Sequence, residues 1–267
     1  MNVTNLYRGT TIALTAAVAV TAAMLVHPAP VHAAEAAAAS KAAPTTIVLV
    51  HGAFADGSGW NKVIPTLQKQ GYKVVAVQNP LTSLADDVAA TRRVIEAQQG
   101  EVVLVGHSWG GVVITEAGND PKVKSLVYVA AFAPEAGQSV ADASRSYAPA
   151  PGLKKLVADS GGFLTLTPAD FRTYFAPDVA PAEANLMAVT QGPVQSKVFE
   201  EKVGAAAAWQ HKPSWFVVAT NDQMIPPVQQ SDDAKKIGAT VIKVATSHVP
   251  MVSQPNAVAK AILAAAR

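Results

Sequence analysis

Cysteine is missing from all 267 residues. Its absence excludes disulfide staples, thiol nucleophiles and Cys-based metal sites, so buried apolar surface must hold the fold together. Net charge is nearly missing as well: 21 Lys and Arg against 19 Asp and Glu leave +2. There is no basic cluster, because Lys154-Lys155 and Lys235-Lys236 are isolated pairs. A nucleic-acid partner therefore finds no support. No internal repeat recurs, which sets aside solenoids and propellers. Nor is there an apolar run long enough for a bilayer. The longest, Thr11 to Val26, is about 16 residues, short of the roughly 20 that a membrane-spanning helix needs.

That run has its own meaning. Met1 to Thr10 carries one cation, Arg8, and no acid, and the run ends in Val31-His32-Ala33, a small-x-small exit. Charged start, apolar middle and small-residue exit predict a secretory signal peptide over 1–33, cut near Ala33 or Ala34. The expected location is then secreted or periplasmic, with no stable membrane association after cleavage. Residues 34–45 are Ala-rich with Ser40, Lys41 and Pro44. They have no face to bury and read as a linker. Residues 46–267 are of a size to form one domain without covalent staples.

Within 46–267, β-branched runs alternate with amphipathic segments. This predicts an α/β fold with about six mainly parallel strands. The runs are Thr46–Val50, Tyr72–Val77, Val102–Val105, Val123–Val129, Trp215–Ala219 and Thr240–Val244. Their continuous apolarity predicts burial on both faces. Leu84, Val88, Thr91 and Ile95 share one helical face behind Ser83 as N-cap, and Val258, Ile262 and Ala265 share another behind Pro255. From about 135 to 208 no strong strand is readable, only polar helical patches broken by proline and glycine. An insertion of that length between two strands predicts a cap over a pocket. Its aromatics Phe163, Phe171, Tyr174 and Phe175 fit cap core better than pocket lining.

The chemistry concentrates where a buried strand, Val102 to Val105, runs into Gly106-His107-Ser108-Trp109-Gly110 and then an apolar helix. A tight strand-to-helix turn of this kind exposes a serine hydroxyl at the end of a sheet. Ser108 is the predicted nucleophile, and it needs a base. Outside the leader the histidines are His51, His107, His211 and His248. His248 follows the last strand, where the base falls in this chain order. His51 reads as a brace for its loop and His211 as a surface residue. The acid that orients the base is Asp222, just past the strand ending at Ala219. Asp232 and Asp233 lie inside the next helix, and Asp170 and Asp178 in the insertion. For the oxyanion hole the position after the nucleophile gives the N–H of Trp109, and the loop after the first strand gives that of Ala53.

Four segments carry a resemblance: Val-Leu-Val-His-Gly-Ala at 48–53, Gly-His-Ser-Trp-Gly-Gly at 106–111, Asn221-Asp222 with Ile225-Pro226-Pro227, and Ser247-His248 with Met251, Ser253, Gln254 and Pro255. Together they resemble the α/β-hydrolase superfamily. More narrowly they are similar to small bacterial esterases related to plant methyl-ester esterases and hydroxynitrile lyases. The resemblance implies an α/β-hydrolase fold with a helical cap, Ser108, Asp222 and His248 as catalytic residues, and Ala53 and Trp109 at the oxyanion. It implies a small-molecule ester as substrate and neither metal nor organic cofactor. The lyases of that group place lysine after the catalytic histidine and threonine in the first loop. Here these positions are Val249 and Gly52, which favours hydrolysis. Three alternatives stay open: a cofactor-free perhydrolase or haloperoxidase, a lipase working at interfaces, and a non-catalytic hydrolase-like ligand-binding protein. The oligomeric state is not readable.

Overall fold

A computed structural model describes residues 44–204 and 206–267. The signal peptide expected over 1–33, and the linker up to residue 43, lie outside the described residues. Among the described residues, no helix is long and apolar enough to cross a membrane.

In chain order the elements are β1 (Thr46–Val50), α1 (Ile64–Lys69), β2 (Lys73–Val77), α2 (Leu84–Glu96), β3 (Val102–His107), α3 (Gly110–Ala117) and β4 (Val123–Val129). The insertion follows, with α4 (Val140–Ser144), β5 (Leu156–Ala158), β6 (Phe163–Leu166), α5 (Pro168–Asp170), α6 (Pro181–Thr190) and β7 (Val194–Gln195). The chain then returns through β8 (Ser214–Ala219), α7 (Pro227–Lys236), β9 (Thr240–Val244), α8 (Pro250–Ser253) and α9 (Pro255–Ala265).

The main sheet has six strands in the order β2-β1-β3-β4-β8-β9, every neighbour parallel. Against the sheet, α2 packs with α3, and α1 packs with α9. The α2 pattern holds as predicted: Ser83 caps it by accepting from Asp86 N–H at 3.0 Å, and Leu84, Val88, Thr91 and Ile95 are buried. In α9, Pro255 opens the first turn, and Val258, Ile262 and Ala265 face inward.

Burial on both faces holds for the central strands and fails at the edges. β1 and β3 are buried throughout. By contrast β2 is exposed at Lys73, and β9 is exposed at Thr240, Val241 and Lys243. Edge strands have a neighbour on one side only, and the charge at Lys73 and Lys243 blunts those edges against further pairing.

The insertion holds more strand than its sequence suggested. β5, β6 and β7 form a separate antiparallel sheet. These strands are two to four residues long and mostly half-exposed, too short to show a period of two.

Strand order decides where a site falls. From β1 the chain steps to β2 on one side, then β3 pairs with the other side of β1. The loops leaving the carboxyl ends of β1 and β3 therefore diverge. Such a reversal opens a crevice at the sheet edge, the place where open α/β sheets bind ligands. Ala53 follows β1 and Ser108 follows β3.

Candidate active site

Ser108 sits at the reversal with φ +53, the left-handed region that a residue with a side chain avoids. The strain costs on the order of 1–3 kcal/mol and persists only where the surroundings impose it. Here they do. Ser108 N–H donates to Val129 O at 3.2 Å, and Ser108 O accepts from Gly111 N–H at 2.9 Å and Phe132 N–H at 3.3 Å. The flanking glycines leave room for the turn. A Cβ on Gly106 would lie 2.4 Å from Gly110 O, and one on Gly110 would lie 2.6 Å from Val50 O. Both contacts are to backbone, which cannot step aside. α3 then begins at Gly110, so the positive end of its dipole lies just past the serine.

His248 reaches the same point from the loop after β9. Its Nε2 lies 2.9 Å from Ser108 Oγ, and its Nδ1 lies 2.7 Å from Asp222 Oδ2. A carboxylate only accepts, so Nδ1 carries the proton and Nε2 is left as an acceptor facing the serine hydroxyl. The structure thus brings Ser108, His248 and Asp222 into one hydrogen-bonded row, and all three are buried.

Asp222 performs two tasks. Oδ1 accepts from Met224 N–H at 2.7 Å and Ile225 N–H at 3.0 Å, which forms the turn beyond β8. Oδ2 accepts from His248 and, at 2.7 Å, from Gln230 Nε2. Gln230 on α7 also accepts Ala219 N–H at 3.0 Å, and so ties the acid to the end of β8. Sequence reasoning missed Gln230, because an amide on an amphipathic helix looks like a surface residue. The other acids are engaged elsewhere. Asp233 pairs with Lys236 at 2.7 Å, Asp232 accepts Tyr147 O–H at 3.0 Å, and Asp170 accepts the Thr167 hydroxyl at 2.6 Å. Asp178 is a surprise: it accepts both the N–H and the hydroxyl of Ser247, immediately before His248.

Two of the remaining histidines brace the site. His51 accepts Asn79 N–H on Nε2 at 2.9 Å and donates from Nδ1 to Gly52 O at 2.9 Å, and burial lowers its pKa. His107 donates from Nε2 to His248 O at 2.8 Å. Burial, and then the neighbouring His248, push its pKa well down and keep it neutral. His211 is exposed, as expected.

Trp109 is anchored by its indole, whose Nε1–H donates to Asp87 Oδ2 at 2.7 Å. Asp87 also accepts Leu81 N–H at 2.7 Å. Full burial pushes its pKa up to about 6 against the pull of these two donors. The sequence placed Asp87 in the first turn of a helix, where an acid ordinarily faces solvent. The backbone N–H groups of Ala53 and Trp109 are not taken by another backbone carbonyl among the described residues.

Ser108 and His248 open into a cavity of about 310 Å³. Ala53, Phe54, Phe132, Leu153, Leu156, Phe199, Met224 and Ile225 give it an apolar wall, and Ser144, Tyr147 and Gln229 add polar groups. None of Phe163, Phe171, Tyr174 or Phe175 is in that wall. Phe171 and Phe175 are buried within the insertion, and the rings of Phe175 and His248 meet edge to face with centroids 5.0 Å apart. Among the described residues, no group of three or more His, Asp or Glu side chains gathers to hold a metal.

Gly52, where the lyases of the resembling group place threonine, is tightly enclosed. A Cβ there would lie 2.6 Å from Ser108 Cβ and 2.8 Å from His107 O.

Comparison with known proteins agrees with this architecture. The profile of the "Alpha/beta hydrolase family" matches residues 47–261. A carbendazim hydrolyzing esterase from a Nocardioides species is 36% identical over 107 residues, a stretch covering 35% of this chain and 44% of that protein. A pyrethroid hydrolase from Sphingobium wenxiniae is 28% identical over 248 residues, covering 82% of this chain and 86% of that one. Among solved structures, an extracellular α/β-hydrolase from a Paenibacillus species superposes with a TM-score of 0.71 at 26% identity, covering 84% of this chain and all 100% of its own. With the profile spanning most of its length, this chain belongs to the α/β-hydrolase family.

Proposed function

We propose that this protein cleaves carboxylic esters of small molecules as a serine hydrolase. Ser108 Oγ attacks the ester carbonyl while His248 Nε2 takes its proton, and Asp222 steadies the imidazolium that forms. The negative charge on the former carbonyl oxygen rests on the N–H groups of Ala53 and Trp109, a pair of donors each worth about 2.7–4 kcal/mol of barrier. Collapse expels the alcohol, which leaves with the proton from His248, and an acyl group stays on Ser108. Water, deprotonated by His248, then releases the carboxylic acid and restores the serine. No step calls on a metal or an organic cofactor.

The observation that carries this reading is the row of contacts from serine to imidazole to carboxylate, 2.9 Å and 2.7 Å long, at the end of an apolar cavity. The names of two relatives, an esterase and a pyrethroid hydrolase, point the same way. The sequence-based expectation of export (signal peptide over 1–33) is part of the proposal, and would put the enzyme outside the cytoplasm.

A panel of p-nitrophenyl esters of graded acyl length tests it, run on the wild type and on Ser108→Ala alongside fluorophosphonate labelling. The expected result is turnover and labelling by the wild type and a loss of about 10⁴-fold or more in the variant. Equal turnover by both proteins would end the covalent scheme. A wild type that binds esters and neither turns them over nor takes the label would make it a ligand-binding protein.

A further inference from the structure

Three polar side chains other than the serine and the base line the cavity: Ser144, Tyr147 and Gln229. Tyr147 is committed, since its hydroxyl donates to Asp232. Among the described residues, the side chains of the other two bond to each other alone, with Gln229 Nε2 2.9 Å from Ser144 Oγ. Gln229 is 1% exposed, and its Oε1 is buried without a hydrogen-bond partner among the described residues. A buried amide oxygen left unpaired is costly, and native structures leave few of them without a reason. Its neighbour Gln230 in α7 is fully satisfied by Asp222, Ile225 and Ala219. Helical geometry thus sends two adjacent amides to different tasks, one behind the acid and one at the cavity wall.

We infer that Gln229 and Ser144 form a recognition subsite for one neutral polar group on an otherwise apolar ester, a hydroxyl or an amide. The inference rests on the ester-hydrolase reading and names the substrate class of that site. As the amide is placed, Oε1 is an acceptor without a partner among the described residues, and the Ser144 hydroxyl keeps its donor. Turning the amide over gives a donor from Nε2 and an acceptor at Ser144 Oγ. In either orientation the pair presents one of each, which suits a group that both donates and accepts. A charged group is disfavoured, because among the described residues no Lys, Arg, Asp or Glu lines the cavity to pair with it.

Two matched pairs of esters test this, because the polar group belongs to either the acyl or the alcohol half. One is methyl 4-phenylbutanoate with methyl 4-(4-hydroxyphenyl)butanoate; the other is 3-phenylpropyl acetate with 3-(4-hydroxyphenyl)propyl acetate. In at least one pair the wild type should favour the hydroxylated member about tenfold in kcat/KM, the scale of one hydrogen bond. Gln229→Leu and the unbranched Gln229→Met should abolish or invert that ratio. Calorimetric binding of the same esters to Ser108→Ala supplies a second readout that needs no turnover. Equal kcat/KM on both members of both pairs by the wild type, or a preference that survives both substitutions, overturns the subsite and leaves the hydrolase reading intact. A binding preference in Ser108→Ala, beside a wild type that turns over no ester, supports the subsite and removes the hydrolase reading.

Discussion

Gln230 and His248 meet at a single atom: the glutamine Nε2 and the imidazole Nδ1 each lie 2.7 Å from Asp222 Oδ2. The amide fixes the oxygen that in turn fixes the ring tautomer. Gln230→Leu should lower kcat about tenfold with little change in KM, since the lost contact orients the base and touches no substrate. It should also cost roughly 1–3 kcal/mol of stability, because Ala219 N–H loses its acceptor in the interior. Gln230→Glu separates the two effects. It keeps the acceptor for Ala219 but sets a second carboxyl 2.7 Å from the buried Asp222 Oδ2, where the two share one proton. Charge drawn away from Asp222 favours the protonated ring less, so the acid limb of the kcat profile should move to lower pH. A pH–rate profile that overlays the wild type in Gln230→Glu would remove Gln230 from this role.

Asp222 itself offers a sharper comparison. Asp222→Asn leaves the volume unchanged and places an amide where the ring N–H must be accepted. The favoured imidazole tautomer is then lost, and kcat should fall by roughly 10³–10⁴. Thermal unfolding near the wild-type temperature would locate that loss in the chemistry rather than in the fold.

Space at Gly52 is the next constraint. With an added Cβ 2.6 Å from Ser108 Cβ, Gly52→Ala must push the nucleophile's backbone or the loop carrying Ala53. A shift of about 1 Å at a reacting atom costs on the order of 100-fold in rate. Overpacking costs a further 1–3 kcal/mol or so in stability. A Gly52→Ala enzyme with kcat/KM within threefold of the wild type would contradict the close approach.

Asp87 predicts a pH effect on stability with a definite sign. Burial raises its folded pKa from 3.8 to about 6, so between those values the folded protein holds a proton that the unfolded chain has released. Its contribution to stability is therefore full below about 3.8 and is lost as pH rises through about 6. Across that window the change is of the order of 2–3 kcal/mol. Asp87→Asn does not titrate, and other groups cancel in a comparison of the two proteins. The wild type's Tm minus that of Asp87→Asn should be larger at pH 4.5 than at pH 7.5. A difference that is flat or shrinks in acid would show Asp87 to be ionised throughout, held by the Trp109 and Leu81 donors.

Candidate residues set by chain position are legible in the sequence; those brought to the site through space are not. Ser108 is marked by glycines that the turn requires, and Asp222 and His248 by following the strands that end at Ala219 and Val244. The central strands were readable because burial on both faces leaves no polar position to interrupt a run such as Ile47–Val50. Edge strand β9 reads the same way until Lys243 is seen to be exposed. Gln229 and Gln230 carry no such mark. Both are uncharged polar residues on a helix rich in polar residues, and only the packing of α7 against β8 reveals that both are buried. The small sheet of the insertion was missed for a related reason: two to four residues cannot establish a period.

Asp178 lies in the insertion, and its carboxylate ties the insertion to the loop that carries His248. Its carboxylate takes both the backbone N–H of Ser247, at 2.9 Å, and the Ser247 hydroxyl. Ser247→Ala removes one donor and leaves the N–H bond in place. Asp178→Ala removes both bonds and leaves the N–H of a residue only 2% exposed without an acceptor. The second change should therefore cost more, in stability by roughly 1–3 kcal/mol and in kcat through a displaced His248. Both changes cut the same contact, so the double variant should lose no more than Asp178→Ala alone, within about 0.5 kcal/mol. Chemical denaturation of the four proteins measures this directly. Losses that simply add would mean that the two residues act independently and that the insertion does not position the base through this carboxylate.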